Sequence, residues 1–319
     1  MRVLKHKKVA LLMILGLLIV FSVGFIKYKH ITRPSFEING QKINDFVYWL
    51  NSPNLTALME TPFDVVVIDY SRDGTDEQAF TYQEIQQLKQ SNGGKIVLSY
   101  LSIGEAENYR YYWNQSWDAD NDGVPDKDAP DWLLEENPEW KGNYAVKYWN
   151  PDWQRIIFGR NDSYLDKIIV AGFDGVMLDK VDEFEYFEDN ITNARELMID
   201  FVLSLIEYAK SKNPSFLVFP QNGEALLENH TYLNAISGVV KEDLYFQGDK
   251  SQDQSARDYI IPLLKRVTNQ SKPVFCMEYH TFYPYKVMAY IDAYSDGFLA
   301  YVGPRNADHI EITLLFEPE

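Results

Sequence analysis

Carboxylates recur in this chain at or just past the ends of short apolar runs. Asp69 follows Val65-Val66-Val67-Ile68, and Glu105 comes shortly after Lys95-Ile96-Val97-Leu98-Ser99-Tyr100. Asp179 and Asp182 close the run that starts at Gly175, Glu224 follows Phe216–Pro220, Glu242 closes the run from Gly238, and Glu278 closes the run from Pro273. Taken singly, such a residue most often caps a helix or pairs with a neighbouring cation. Gathered at one mouth, the same groups would titrate together, some held protonated and others ionised. Cleavage of a glycosidic bond uses that separation. One carboxylic acid protonates the leaving oxygen, while a second carboxylate attacks the anomeric carbon or activates water.

Other hydrolytic chemistries find little here. There is no Gly-x-Ser-x-Gly elbow and no His-Glu-x-x-His pair. The histidines (His6, His30, His230, His280 and His309) are scattered. His280 is within reach of a strand mouth, but a lone histidine is more often a hydrogen-bonded structural group. Cys276 is the only cysteine, so no intramolecular disulfide, zinc cluster or redox pair can form within the chain. The net charge of −17 and the lack of a basic cluster in the body of the chain disfavour nucleic acid as a partner.

The runs that would position these acids number eight. They are Phe46–Trp49, Val65–Tyr70, Lys95–Tyr100, Gly175–Asp179, Phe216–Pro220, Gly238–Glu242, Pro273–Glu278 and Gly297–Tyr301. Near-continuous apolar character, in place of alternation, indicates strands buried on both faces of a parallel sheet. Helical candidates lie between them: Tyr82–Gln90, Gln154–Ala171, Ala194–Lys212, Asp258–Asn269 and Tyr285–Tyr294. The alternation predicts an α/β fold, a (β/α)8 TIM barrel over residues 34–319. A doubly wound open sheet is the runner-up, without a glycine-rich phosphate loop to support it.

A long stretch from Gly104 to Ala171 separates the third run from the fourth. Its first half is expected to be an aromatic and acidic loop insertion at the strand's C-terminal end, the face that carries barrel active sites. Its Tyr and Trp side chains are candidates to stack on sugar rings. Within it, Asp118-Ala119-Asp120-Asn121-Asp122-Gly123-Val124-Pro125-Asp126 has the D-x-D-x-D-G spacing of calcium loops. Asp118, Asp120, Asp122, Asp126 and the carbonyl of Val124 are the candidate ligands of a structural calcium, the alternative being a solvated acidic turn. Catalysis is expected to need no cofactor.

At the amino terminus, Arg2, Lys5, Lys7 and Lys8 precede an uninterrupted apolar run from Val9 to Ile26. Eighteen residues at ~1.5 Å each approach the thickness of the hydrocarbon core. Residues 1–33 are therefore expected to be a signal anchor, or a cleaved signal peptide, with a linker. The rest of the chain is expected to be extracytoplasmic, membrane-anchored or secreted.

Several segments carry a resemblance. Gly172-Phe173-Asp174-Gly175-Val176-Met177-Leu178-Asp179-Lys180-Val181-Asp182, Tyr100-Leu101-Ser102-Ile103-Gly104-Glu105-Ala106-Glu107, Gly238-Val239-Val240-Lys241-Glu242-Asp243-Leu244 and Val67-Ile68-Asp69-Tyr70 occur in this chain. Together they resemble glycoside hydrolase family 114, the endo-α-1,4-polygalactosaminidase-like barrels, from about Asn44 to the end. The resemblance implies a retaining endo-hydrolase of galactosamine-containing polysaccharide, with Asp179 as nucleophile and Glu242 as general acid and base. It also implies that Asp69, Glu105 and Asp182 line the sugar pocket. Tyr70, Tyr100, Asn222, Glu224, Glu278, Tyr301 and Trp49, at or just past strand ends, complete the expected binding set. Lys180 departs from the Asn that members often carry there, which bears on the sugar substituent accepted. A non-catalytic polysaccharide-binding surface protein is the alternative from a different class.

Overall fold

The computed structural model describes residues 32–248, 250–279, 282–313 and 316. The expected anchor segment falls almost wholly outside these residues, as does His280. Among the described residues, no helix is long and apolar enough to cross a membrane.

Eight parallel strands carry the fold, each within or overlapping one of the apolar runs. They are β1 (Phe46–Trp49), β2 (Val65–Ile68), β3 (Ile96–Ser102) and β4 (Gly175–Asp179). β5 (Leu217–Pro220), β6 (Val239–Glu242), β7 (Val274–Glu278) and β8 (Leu299–Val302) follow. Hydrogen bonding joins β1 to β5 in sequence order as one sheet and β6-β7-β8 as a second. Most of their residues are buried on both faces, which is why the runs read as continuously apolar.

The two sheets adjoin at both edges. Gln221, one residue past β5, bridges in parallel to Val240 of β6. At the other edge, the Asn51 N–H beyond β1 donates to the carbonyl of Ala307 beyond β8 at 2.8 Å. Between the sheets, the Phe275 ring of β7 lies 4.7 Å from Phe46 of β1 and 5.3 Å from Phe219 of β5. The outer strands of the larger sheet thus share one core with the middle strand of the smaller.

A helix follows each of the first seven strands: α1 (Leu55–Glu60), α2 (Tyr82–Gln90), α3 (Tyr164–Ala171), α4 (Ala194–Lys212), α5 (His230–Ala235), α6 (Gln254–Thr268) and α7 (Tyr283–Asp296). Local chemistry sets their ends. Thr81 and Glu84 form a reciprocal capping box at the start of α2, and Gly172 ends α3 at φ +86°. The expected single helix over Gln154–Ala171 is instead two, Pro151–Ile157 and α3, interrupted near Gly159 at φ +97°.

The stretch after β3 also differs from the expected loop. It forms a three-stranded antiparallel sheet from Glu105–Glu107, Asn143–Val146 and Leu133–Glu136. Its rings build a small core of their own: Trp113 meets Trp117 at 5.2 Å, Trp117 meets Trp132 at 5.3 Å, and Trp132 meets Trp153 at 5.0 Å. Gly104 sets the junction with the main sheet, because a Cβ there would stand 2.2 Å from the Lys180 carbonyl oxygen. Gly104→Ala should therefore cost about 1–3 kcal/mol of overpacking. Urea unfolding measures this, and an unchanged midpoint would show that the junction is looser than described.

Candidate active site

A cavity of about 520 Å³ opens at the C-terminal ends of the strands, lined by residues at or just past each of them. Residues one or two positions past the ends of β4, β5 and β6 share an unusual backbone. Lys180, Asn222 and Asp243 adopt φ of +60°, +57° and +48° respectively, the left-handed region. Asn and Asp tolerate it, whereas a lysine pays steric strain there. Lys180 and Asp243 therefore kink the chain immediately beyond Asp179 and Glu242, and Asn222 does so beyond Gln221.

At the centre stands the Gln221 amide. Its Nε2 donates to Asp179 Oδ1 at 2.9 Å and to Glu242 Oε2 at 2.8 Å. Asp179 Oδ1 also accepts the Lys180 N–H at 2.8 Å, and its Oδ2 accepts the Tyr100 hydroxyl at 2.8 Å. Glu242 Oε1 accepts the Tyr279 hydroxyl. Gln221 is 3% exposed, and its Oε1 is buried with no protein partner.

Burial sets the titration of this pair. It lifts Asp179 to about 7, helped next by the charges of Glu242 and Asp182 and opposed by Tyr100 and Lys180. Burial likewise raises Glu242, against the Tyr279 hydrogen bond. Two carboxyls on one amide nitrogen, both raised in this way, titrate as a coupled pair. Asp179 accepts three donors and Glu242 two, but at Asp179 burial and the neighbouring negative charges outweigh them, so its carboxyl keeps a proton up to about neutral pH.

The surrounding acids are tied to cations. Arg110 is fully buried and bidentate to Asp69, at 2.9 and 2.7 Å, and its Nε donates to Glu107 at 2.6 Å. Lys180 reaches Glu105 at 2.7 Å instead of Asp179, and Glu105 also accepts from Asn137 at 2.7 Å and Asn143 at 3.2 Å.

Of the residues expected to form the site, Asp179, Glu242, Asp69, Tyr100, Glu105, Asp182 and Asn222 line the cavity. Five others do not. Tyr70 turns its hydroxyl to Asp76 at 2.8 Å, and Trp49 donates its indole N–H to the Asn51 carbonyl at 2.9 Å. Tyr301 packs in the core 6.0 Å from the Phe63 ring. Glu224 pairs with Lys241 at 3.1 Å, and the fully buried Glu278 accepts the Tyr245 N–H at 2.8 Å. The miss has one physical reason: a strand-end position fixes height in the sheet, not the direction of the side chain. Conversely, Gln221, Glu107, Arg110, Tyr48 and Tyr279 line the cavity without having been anticipated. Glu107 did carry a signal, since it closes the short strand that begins at Glu105.

In the acidic loop, carboxylate oxygens of Asp118, Asp120 and Asp122 lie within 4.8 Å of one another. Asp126 stands outside that group and accepts the Ala119 N–H at 2.8 Å. Val124 donates its own N–H to Asp122 at 2.8 Å.

The family model for glycoside-hydrolase family GH114 matches residues 32–314. The chain belongs to this family. Similar proteins include the uncharacterized MJ1477 of Methanocaldococcus jannaschii, 42% identical over 79% of this chain and 70% of that one. An uncharacterized protein of Thermotoga maritima is 33% identical over 74% of this chain and 71% of its own. Among solved structures, the glycoside hydrolase domain of PelA from Pseudomonas aeruginosa superposes with a TM-score of 0.61 at 17% identity. That likeness covers 84% of this chain and 98% of the PelA domain, and it concerns the fold. The GH114 membership agrees with the resemblance read from the strand-end motifs.

The raised carboxyl makes stability depend on pH. Folded Asp179 titrates near 7 against an ordinary value of 3.8, so across that window the folded state binds more protons and stability falls as pH rises. Asp179→Asn fits the same hydrogen bonds if Tyr100 turns its proton to Glu107, 3.2 Å away. The variant should melt higher than the unchanged protein at pH 8, the two converging near pH 4. A difference that is constant across this range would mean that burying the Asp179 charge costs nothing.

Proposed function

We propose that this GH114 chain is a retaining glycoside hydrolase acting on a hexosamine-containing, galactosamine-type polysaccharide. Asp179 is the nucleophile and Glu242 the general acid and base. The observation that carries this reading is the Gln221 amide shared by the two carboxylates. Their nearer oxygens are separated by no more than the two hydrogen-bond lengths laid end to end. That closeness supports the short carboxyl spacing of a retaining enzyme, ~5–5.5 Å, over the ~6.5–9.5 Å that leaves an inverting enzyme room for its water.

The reaction follows from the donors described. Glu242 gives its proton to the glycosidic oxygen as Asp179 attacks the anomeric carbon, and the C–O bond breaks with departure of the chain end. Glu242, now ionised, takes a proton from water, whose oxygen displaces Asp179 and restores both groups. The amide of Gln221 stays in place through both steps and steadies whichever carboxylate is charged.

Family membership supports a polysaccharide substrate, and the resemblance supports the amino sugar. Acidic side chains outnumber basic ones around the cavity, which favours a cationic hexosamine over a uronic acid. The reading includes closure of the eight strands as one (β/α)8 barrel spanning residues 34–319, supported by the two sheet junctions and the site at the strands' C-terminal ends. It also includes export of that domain behind the N-terminal segment as signal anchor or signal peptide. The acidic loop enters only as a structural calcium site that stiffens the insertion.

Glu242→Gln is expected to lower kcat by roughly 10²–10⁴-fold. Asp179→Asn should abolish the release of reducing ends from galactosaminan while still binding it. Turnover by Asp179→Asn at the unchanged rate would reject the nucleophile, and an unchanged protein that binds but never cleaves would make this a carbohydrate-binding protein. For the loop, calcium should raise the melting temperature relative to EDTA without altering turnover at 25 °C; equal melting in both would remove the ion.

A further inference from the structure

Trp140 is the one tryptophan of the insertion left out of its aromatic core. Trp113, Trp117 and Trp132 meet edge to face, Trp153 packs tilted on Trp132, and Trp149 packs on Phe187 at 4.8 Å. Trp140 stacks on no ring among the described residues, is 49% exposed, and lines the mouth of the cavity. Tyr109, the other exposed ring of the insertion at the cavity, is committed to the fold. Its hydroxyl donates to Glu107 at 2.5 Å, and the Arg110 guanidinium covers its ring at 4.8 Å.

The turn that presents Trp140 is held rigid from below. Asn137 Oδ1 accepts the N–H of Glu139 at 2.9 Å and that of Trp140 at 3.3 Å. Glu136 Oε1 accepts the Gly142 N–H at 2.7 Å. The amides of Asn137 and Asn143 both bind Glu105, which pairs with Lys180, the residue next to Asp179. A short chain of polar contacts thus ties the backbone turn that carries the indole to the residue beside Asp179. The fold gains nothing evident from a half-exposed indole that packs on no other ring among the described residues, whereas a pyranose ring needs a flat apolar face at the lip of a cleft.

Building on the hydrolase reading, we propose that Trp140 is the stacking platform of an outer sugar subsite. It takes a pyranose unit of the same polymer beyond the sugar held between Asp179 and Glu242. The site then grips an internal stretch of chain, and longer oligomers bind more tightly than short ones.

The test uses α-1,4-linked galactosamine oligomers of two to eight units with the full chain, in an Asp179→Asn background for binding and an unaltered background for turnover. Trp140→Ala should weaken binding of the longest oligomer by roughly 5–100-fold, the scale of one lost ring stack of ~1–3 kcal/mol. It should raise KM for long substrates, with kcat on the shortest cleavable one unchanged and Trp140→Phe recovering most of the loss. Equal binding of the octamer with and without Trp140, or no gain in affinity with oligomer length in the unchanged protein, overturns the platform. Those outcomes leave the carboxylate pair in place, whereas full turnover by Asp179→Asn alone overturns the hydrolase reading itself.

Discussion

A single amide nitrogen lies between two carboxylates that burial pushes toward protonation, and the rest of the site is built around that contact. Each buried negative charge raises the cost of the other, as the lifted Asp179 carboxyl records. One proton between them relieves the repulsion, and the two N–H bonds of Gln221 hold the oxygens at a defined separation. Gln221 itself is fixed by the fold, since its backbone bridges β5 to Val240 at the seam between the sheets. The seam that joins the two sheets therefore also sets the spacing of the carboxylates.

Holding that arrangement has a backbone cost. The left-handed turns at Lys180, Asn222 and Asp243 redirect the chain as soon as the strands deliver their last side chains to the mouth. They persist because the neighbouring structure leaves no alternative. The Lys180 carbonyl lies against Gly104, the Lys180 N–H is held by Asp179, and the Asn222 side chain accepts the Glu242 N–H at 3.2 Å. The steric cost falls on Lys180, since Asn222 and Asp243 are residue types that tolerate the left-handed region.

How far the sequence was legible follows the same division. Each apolar run overlaps or contains a strand because burial on both faces leaves a continuous apolar signature. The carboxylates at the ends of β4 and β6 reach the cavity, yet Glu278 at the end of β7 accepts a backbone N–H in the interior. Residue type and position along a strand do not carry side-chain direction, so the expected set contained both outcomes. Gln221 was overlooked for a related reason: a neutral amide has no charge or motif to mark it, and its importance arises only from two partners brought from 42 and 21 residues away. The antiparallel insertion sheet was hidden because its strands are only three or four residues long.

The density of acid in one cavity would be untenable if all of it were unpaired. Arg110 pairs with both Asp69 and Glu107, offsetting one of their two charges, while buried among the rings of Tyr70, Tyr100, Tyr109 and Tyr164. Lys180 pairs with Glu105, which leaves the cavity acidic on balance but with these wall carboxylates held by cations. Asp179 and Glu242 differ in being held by neutral donors, an amide, hydroxyls and a backbone N–H. Neutral donors stabilise a carboxylate less than a salt bridge does and leave it free to exchange its proton near neutrality. Cations at the periphery and neutral donors at the centre therefore divide the acids into those that build the cavity and those able to move a proton within it.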